Sequence, residues 1–263
     1  MAKIEISYKG NDLNIEYFYR WWKEKTIVYI HWLWCSRSDF NEAINNELFN
    51  DFNILSFDLI WHWNSSYIKD IDINDTVEIV NLLLKKLNIS DIILIWHSLW
   101  WVISLMFIYK YPDIVSAFIN VEWNLSSSDC FFSRKATKIN YETFEKQCFN
   151  KFIEELIDTN KKWFWQYVHT LEKHKPLKSF YEICSSLVDL SDNWNLLEKY
   201  INLSIPKLFL YWEENCHLPY ITKLEKAKCK TISVSDSNHF PQFDNPSEFF
   251  KIISDFLKNI KEL

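Results

Sequence analysis

Glycine is almost missing from this chain: Gly10 is the single example among 263 residues. Average usage near 7% would supply roughly 18 in a chain this long. Turns and helix ends need residues with φ > 0, and glycine adopts them without strain. Arginine is also scarce, with only Arg20, Arg37 and Arg134. No basic run or stripe exists to neutralise phosphates, which argues against a nucleic-acid partner. Asp, Lys or His interrupts each apolar run before it reaches membrane-spanning length. Residues 1–5 (MAKIE) lack the apolar core of a signal peptide. No pair among Cys35, Cys130, Cys148, Cys184, Cys216 and Cys229 has CxxC spacing, so zinc and dithiol redox chemistry are unsupported. These cysteines read as free thiols, mostly buried. Together these absences predict a cytoplasmic protein with no membrane and no nucleic-acid partner. Oligomeric state is not readable.

What is present is ordinary for a globular domain, with one exception. Hydrophobic residues make up 48% and charged residues 24%, and the net charge is -6, interspersed as on a solvated surface. The exception is tryptophan, with 14 copies. Residues 4–19 alternate apolar and polar around Lys9-Gly10-Asn11-Asp12, which predicts a β-hairpin. The runs 26–30 (TIVYI), 53–58 (NILSFD), 91–95 (DIILI) and 114–121 suit buried parallel strands. Between them, 40–49, 75–87 and 99–109 read as helices, with Asn74 or Asp75 capping the second. From 125 to 203 only helical patterning appears. Strand patterns return at 207–211 (KLFLY) and 230–234 (KTISV), and a last amphipathic helix covers 246–260. The expected fold class is α/β: a mostly parallel central sheet with helices on both faces. Residues 1–124 and 204–263 form the core, and 125–203 a helical lid inserted before the last two strands. No internal repeat is visible.

The tryptophans fall where such a fold needs glycine. Ile95-Trp96-His97-Ser98-Leu99-Trp100-Trp101 follows a strand and opens a helix. With glycine for each Trp it becomes IGHSLGG, the nucleophile elbow G-x-S-x-G, whose tight turn leaves no room for bulk beside the serine. His31-Trp32-Leu33-Trp34 becomes HGLG after the first buried strand. Residues 58–65 become DLIGHGNS after the next, and Tyr211-Trp212-Glu213-Glu214 becomes YGEE after a later one. Trp123 falls at a strand exit, Trp21-Trp22 in a turn and Trp194 beside Asn193. Trp163 and Trp165 lie in the helical region and fit glycine least well. The expectation is that the gene uses UGA for glycine and that UGA has been read here as tryptophan. The abundance of Lys, Asn, Ile and Phe fits the AT-rich coding this would accompany. A literal reading would make the chain an aromatic-rich ligand or glycan binder.

With these motifs in order on successive strand ends, nearly the whole chain resembles the α/β-hydrolase family, in its serine hydrolase or esterase branch. The resemblance implies Ser98 as nucleophile and His239, in Ser237-Asn238-His239-Phe240-Pro241, as base. It implies an oxyanion hole from the backbone N–H groups of Leu33 and Leu99. His31, His62 and His97 take the family's packing and loop-bonding positions, while His169, His174 and His217 lie in the lid or in loops. The family's commonest acid position matches Asn215, and an amide cannot stabilise an imidazolium as a carboxylate does. Glu122, ending a buried apolar strand where an unpaired carboxylate would be costly, is the preferred acid. Some family members carry a Glu there. Glu214 is the alternative, and Glu213 lies beside it.

A serine nucleophile suits acyl transfer on esters, thioesters, lactones or amides of a small molecule, through an acyl-enzyme. It requires neither metal nor organic cofactor. C–C bond hydrolysis and perhydrolase chemistry on the same triad remain alternatives, as does a non-catalytic binding member of the fold. Phe131, Phe132, Phe144 and Phe164 are candidates either for an acyl pocket or for the lid's own core.

Overall fold

The computed structural model describes residues 2–31, 35–97, 101–122, 125–151, 154 and 177–261. Its centre is an eight-stranded sheet: β1 (Ala2–Tyr8), β2 (Asn11–Arg20), β3 (Thr26–Ile30), β4 (Asn53–Phe57), β5 (Ile92–His97), β6 (Val115–Val121), β7 (Lys207–Trp212) and β8 (Lys230–Val234). The spatial order is β1-β2-β4-β3-β5-β6-β7-β8. β1 and β2 form the antiparallel hairpin expected around Gly10, and β2 pairs antiparallel with β4. Every pairing from β4 across to β8 is parallel. The strands β3 and β4 are buried at every position, as β-branched and apolar runs become when helices cover both faces.

Alternation along each strand divides the core. Val28 and Ile30 of β3 join the hydrophobic cluster on one face, with Val77, Val80, Leu83 and Leu84 of the Ile73–Lys86 helix. Ile27 and Tyr29 join the other, with Phe249, Ile253 and Leu257 of the Pro246–Lys261 helix. The expected three-layer α/β architecture is therefore present. Between β6 and β7 the described residues of the 125–203 segment are helical, including Phe131–Thr137, Leu177–Asn193 and Leu196–Ile201.

Two local expectations need correction. The Ile73–Lys86 helix is capped by Asp72, not Asn74 or Asp75. Asp72 accepts from the Asp75 backbone N–H while the Asp75 carboxylate accepts from the Asp72 N–H. The helix expected over 40–49 is three short pieces, Arg37–Phe40, Asn41–Asn45 and Glu47–Phe49. Asn46 breaks it: its backbone is extended and its side chain caps the Leu48 N–H instead. Cys35, Cys130, Cys184 and Cys229 are free and buried, and Cys216 is free and exposed. Among the described residues, no helix is long and apolar enough to cross a membrane.

Candidate active site

Parallel strands deliver their C-terminal ends to one edge of the sheet, where open α/β folds bind ligands. β5 ends at His97, immediately before Ser98. β6 ends at Val121, immediately before Glu122. β7 leads into a 3-10 turn, Glu213–His217, that carries Asn215. The loop after β8 carries His239. Ser98, Leu33 and Leu99 lie outside the described residues, as do Trp32, Trp100, Trp123, Phe164, His169 and His174. The side chains of Phe131 and Phe132 lie outside them too.

Glu122 is completely buried. Its backbone is in the left-handed region, φ 54°, which a side chain of this size seldom adopts. The local reason is visible in the ladder. Its N–H still donates to Leu210 O at 2.8 Å, so the residue is the last held by the sheet, and the chain turns away directly afterwards. The carboxylate turns toward the β7 exit. Oε1 accepts from the backbone N–H of Trp212, and Oε2 accepts from Asn215 Nδ2 at 2.9 Å. Oε2 also lies 4.0 Å from His239 Nδ1. That separation is an approach rather than a hydrogen bond, of the kind that tightens when a reacting complex forms.

His239 is held from several sides. Its ring sits 5.0 Å from that of His97 and 5.4 Å, edge to face, from that of Trp212. His97 Nε2 lies 2.6 Å from the backbone carbonyl of His239, so that nitrogen carries the hydrogen and donates. The loop itself is pinned by the two helices that follow, Pro241–Asp244 and Pro246–Lys261, and by Asn245 between them. Asp244 Oδ2 accepts from the Asn238 N–H at 2.8 Å, Glu248 Oε2 accepts from the Ser235 N–H at 2.9 Å, and Asn245 Nδ2 donates to Ser235 O at 3.0 Å. Burial, reinforced by His97, pushes the His239 imidazole well below its ordinary value. Burial takes His97 down to about 4. Both rings are therefore neutral at pH 7.

The other candidates are distributed differently. Glu213, Glu214 and His217 are exposed. His31 Nε2 accepts from the Leu59 N–H at 3.1 Å, and the rings of His31 and His62 are 4.7 Å apart, so both hold the exits of β3 and β4 together. Behind them lies a charged cluster that the sequence did not reveal. Arg37 Nη2 pairs with Glu16 at 2.9 Å, and the Arg37 N–H donates to Asp58 Oδ1 at 2.8 Å. Burial lifts Asp58 to about 6 and Asp39 to about 7. Arg37 was visible only as one of three arginines. The signal that could have marked it is its place just after the β3 exit.

Comparison with known proteins agrees on the fold. No family model matches the chain, and no curated protein matches it. Solved structures do. A carboxylesterase from the ammonia-oxidising thaumarchaeon Nitrososphaera gargenis superposes with a TM-score of 0.78 at 16% identity, covering 98% of this chain and 99% of that one. A thermophilic esterase from Thermogutta terrifontis gives 0.77 at 14% identity, with 99% of each chain covered. A haloalkane dehalogenase loop variant from Bradyrhizobium elkanii gives 0.74 at 15% identity, covering 99% and 97%. The chain has the α/β-hydrolase fold.

Proposed function

We propose that this chain is a serine hydrolase that cleaves a carboxylic ester or related acyl bond of a small molecule. The observation that carries the reading is the buried Glu122 carboxylate, at the exit of β6, 4.0 Å from Nδ1 of His239 in the loop after β8. Because Nδ1 faces Glu122, Nε2 of the neutral ring is left to take the Ser98 proton. The Ser98 oxygen attacks the acyl carbon as His239 Nε2 accepts that proton. The resulting oxyanion is received by the backbone N–H groups of Leu33 and Leu99. Collapse expels the alcohol, which takes the proton back from His239. Water, deprotonated by the same nitrogen, then releases the acid from the acyl-enzyme. Glu122 stabilises the imidazolium in both halves. The segment 125–203 serves as a lid in this reading, and a cytoplasmic location belongs to it too. The test is a panel of p-nitrophenyl esters of increasing acyl length with Ser98→Ala and His239→Ala. Turnover in the parent chain that both substitutions abolish is expected. Turnover that survives Ser98→Ala would refute the assignment.

The same reading takes glycine as the native residue at most of the tryptophan positions. Trp61 and Trp63 support it: their φ values are 69° and 45°, a region in which a bulky residue is an outlier. Trp212 differs. Its φ of -80° suits any residue, so glycine there would answer to space beside His239 rather than to backbone conformation. Peptide sequencing by mass spectrometry of the protein from its own cells decides the matter. Glycine masses at 61, 63, 96 and 100 are expected, and indole masses there would overturn the recoding.

A further inference from the structure

We propose that Asn215 is a positioning residue for the acid of this site, and that its neutrality is as necessary as its hydrogen bond. The inference rests on the reading of Ser98, His239 and Glu122 given above. Asn215 sits at the exit of β7, is 5% exposed, and directs its carboxamide across the sheet: Nδ2 donates to Glu122 Oε2 at 2.9 Å. That oxygen is the one facing His239 Nδ1. The other oxygen is held by the Trp212 N–H. Two donors from the β7 exit therefore fix both oxygens of a carboxylate that belongs to β6. With Oε1 pinned to the backbone, the Asn215 amide sets the tilt of the carboxylate and hence the lone pair that Oε2 turns toward the imidazole.

The residue type follows from the geometry. An alanine or leucine at 215 would take away the hydrogen bond that Asn215 gives Oε2 inside a fully buried pocket, where losing a bond to a charged group is costly. An aspartate would keep the shape but place a second carboxylate about 3 Å from the first, and two such groups cannot both ionise freely. Asparagine is the isostere that donates a hydrogen bond to Oε2 without adding charge. The β7 exit, where a carboxylate could itself have served the histidine, is occupied by the group that aims the carboxylate of the neighbouring strand.

The test uses Asn215→Ala, Asn215→Asp and the exchange Glu122→Gln/Asn215→Asp, which keeps the hydrogen bond with donor and acceptor reversed. Two readouts are needed: the titration of the His239 imidazole by NMR, and the pH profile of kcat/KM for an ester that the parent chain hydrolyses. For Asn215→Asp, a rise of about one pH unit in the His239 titration and in the acidic limb of kcat/KM is expected. For Asn215→Ala, kcat falls about tenfold while KM stays within about twofold. The exchange variant recovers about tenfold over Glu122→Gln alone, because a negative charge returns to the same pocket. A purely structural role would lower stability without moving the His239 titration. Unchanged titration in Asn215→Asp, or an exchange variant no better than Glu122→Gln, would overturn the proposal. Should the parent chain hydrolyse no ester, the serine hydrolase reading fails, and the NMR titration still decides the role of Asn215. Should Asn215→Ala fail to fold, the two isosteric variants carry the test.

Discussion

Replacing Glu122 by Gln removes a charge while keeping the shape, and the structure sets the size of the loss. The carboxylate is fully buried, and its Oε2 lies 4.0 Å from Nδ1 of the ring that the proposed mechanism makes cationic. At an effective dielectric constant near 20, two unit charges at that separation attract by about 4 kcal/mol. This interaction is absent in the ground state, because His239 is then neutral, so it enters the barrier in full. About 4 kcal/mol is about a thousandfold in kcat, with KM within about threefold. Stability also changes. The substituted amide presents one NH2 group to a pocket built of donors, the Trp212 N–H and Asn215 Nδ2. Unless the Asn215 amide turns over, that mismatch costs about 1–3 kcal/mol. The assay is steady-state hydrolysis of a p-nitrophenyl ester by Glu122→Gln and Glu214→Gln, with thermal melting followed by circular dichroism to show that both variants fold. A loss below about tenfold in folded Glu122→Gln, or a larger loss in Glu214→Gln, would refute the reasoning.

Two further predictions concern pH. His97 is lowered to about 4 by burial, so the unfolded chain binds a proton near pH 6.5 that the native ring refuses. Its share of stability is thus present above about pH 6.5 and lost as pH falls toward 4, by about 3 kcal/mol in total. Urea midpoints at pH 7 and pH 4.5 should show a steeper acid loss in the parent chain than in His97→Gln; parallel losses would contradict this. Asp39 runs the other way. Burial raises it to about 7, so the native state keeps a proton that the unfolded chain releases near pH 4, and stability falls as pH rises between those values. Asp39→Asn should therefore gain up to about 4 kcal/mol on the parent between pH 4 and pH 8. A gain independent of pH would show that Asp39 is not protonated in the fold.

The parts of the fold that could be read from sequence were those set by local pattern. β3, from Thr26 to Ile30, is a β-branched apolar run that can only be buried, and its limits coincide with the expected ones. Capping was less accessible, because Asp72, Asn74 and Asp75 are all competent and only geometry chooses Asp72. Glu122 stood out as a carboxylate closing an apolar strand. Its bond to Asn215 joins residues 93 apart in sequence, and the bond from His97 to the His239 carbonyl joins residues 142 apart. Such contacts arise from the side-by-side placement of β5, β6, β7 and β8, which no local pattern encodes. The positive φ of Trp61 and Trp63 could be expected only because the motif around them demanded glycine.

The central claim is that Ser98 is a nucleophile activated by His239. The most direct measurement is covalent labelling of the purified protein with a fluorophosphonate, followed by intact mass and peptide mapping. One adduct per chain is predicted, on the peptide that contains Ser98, at a rate that falls by about a hundredfold or more in His239→Ala. No adduct on the folded chain, an adduct on another residue, or labelling indifferent to His239 would contradict the account.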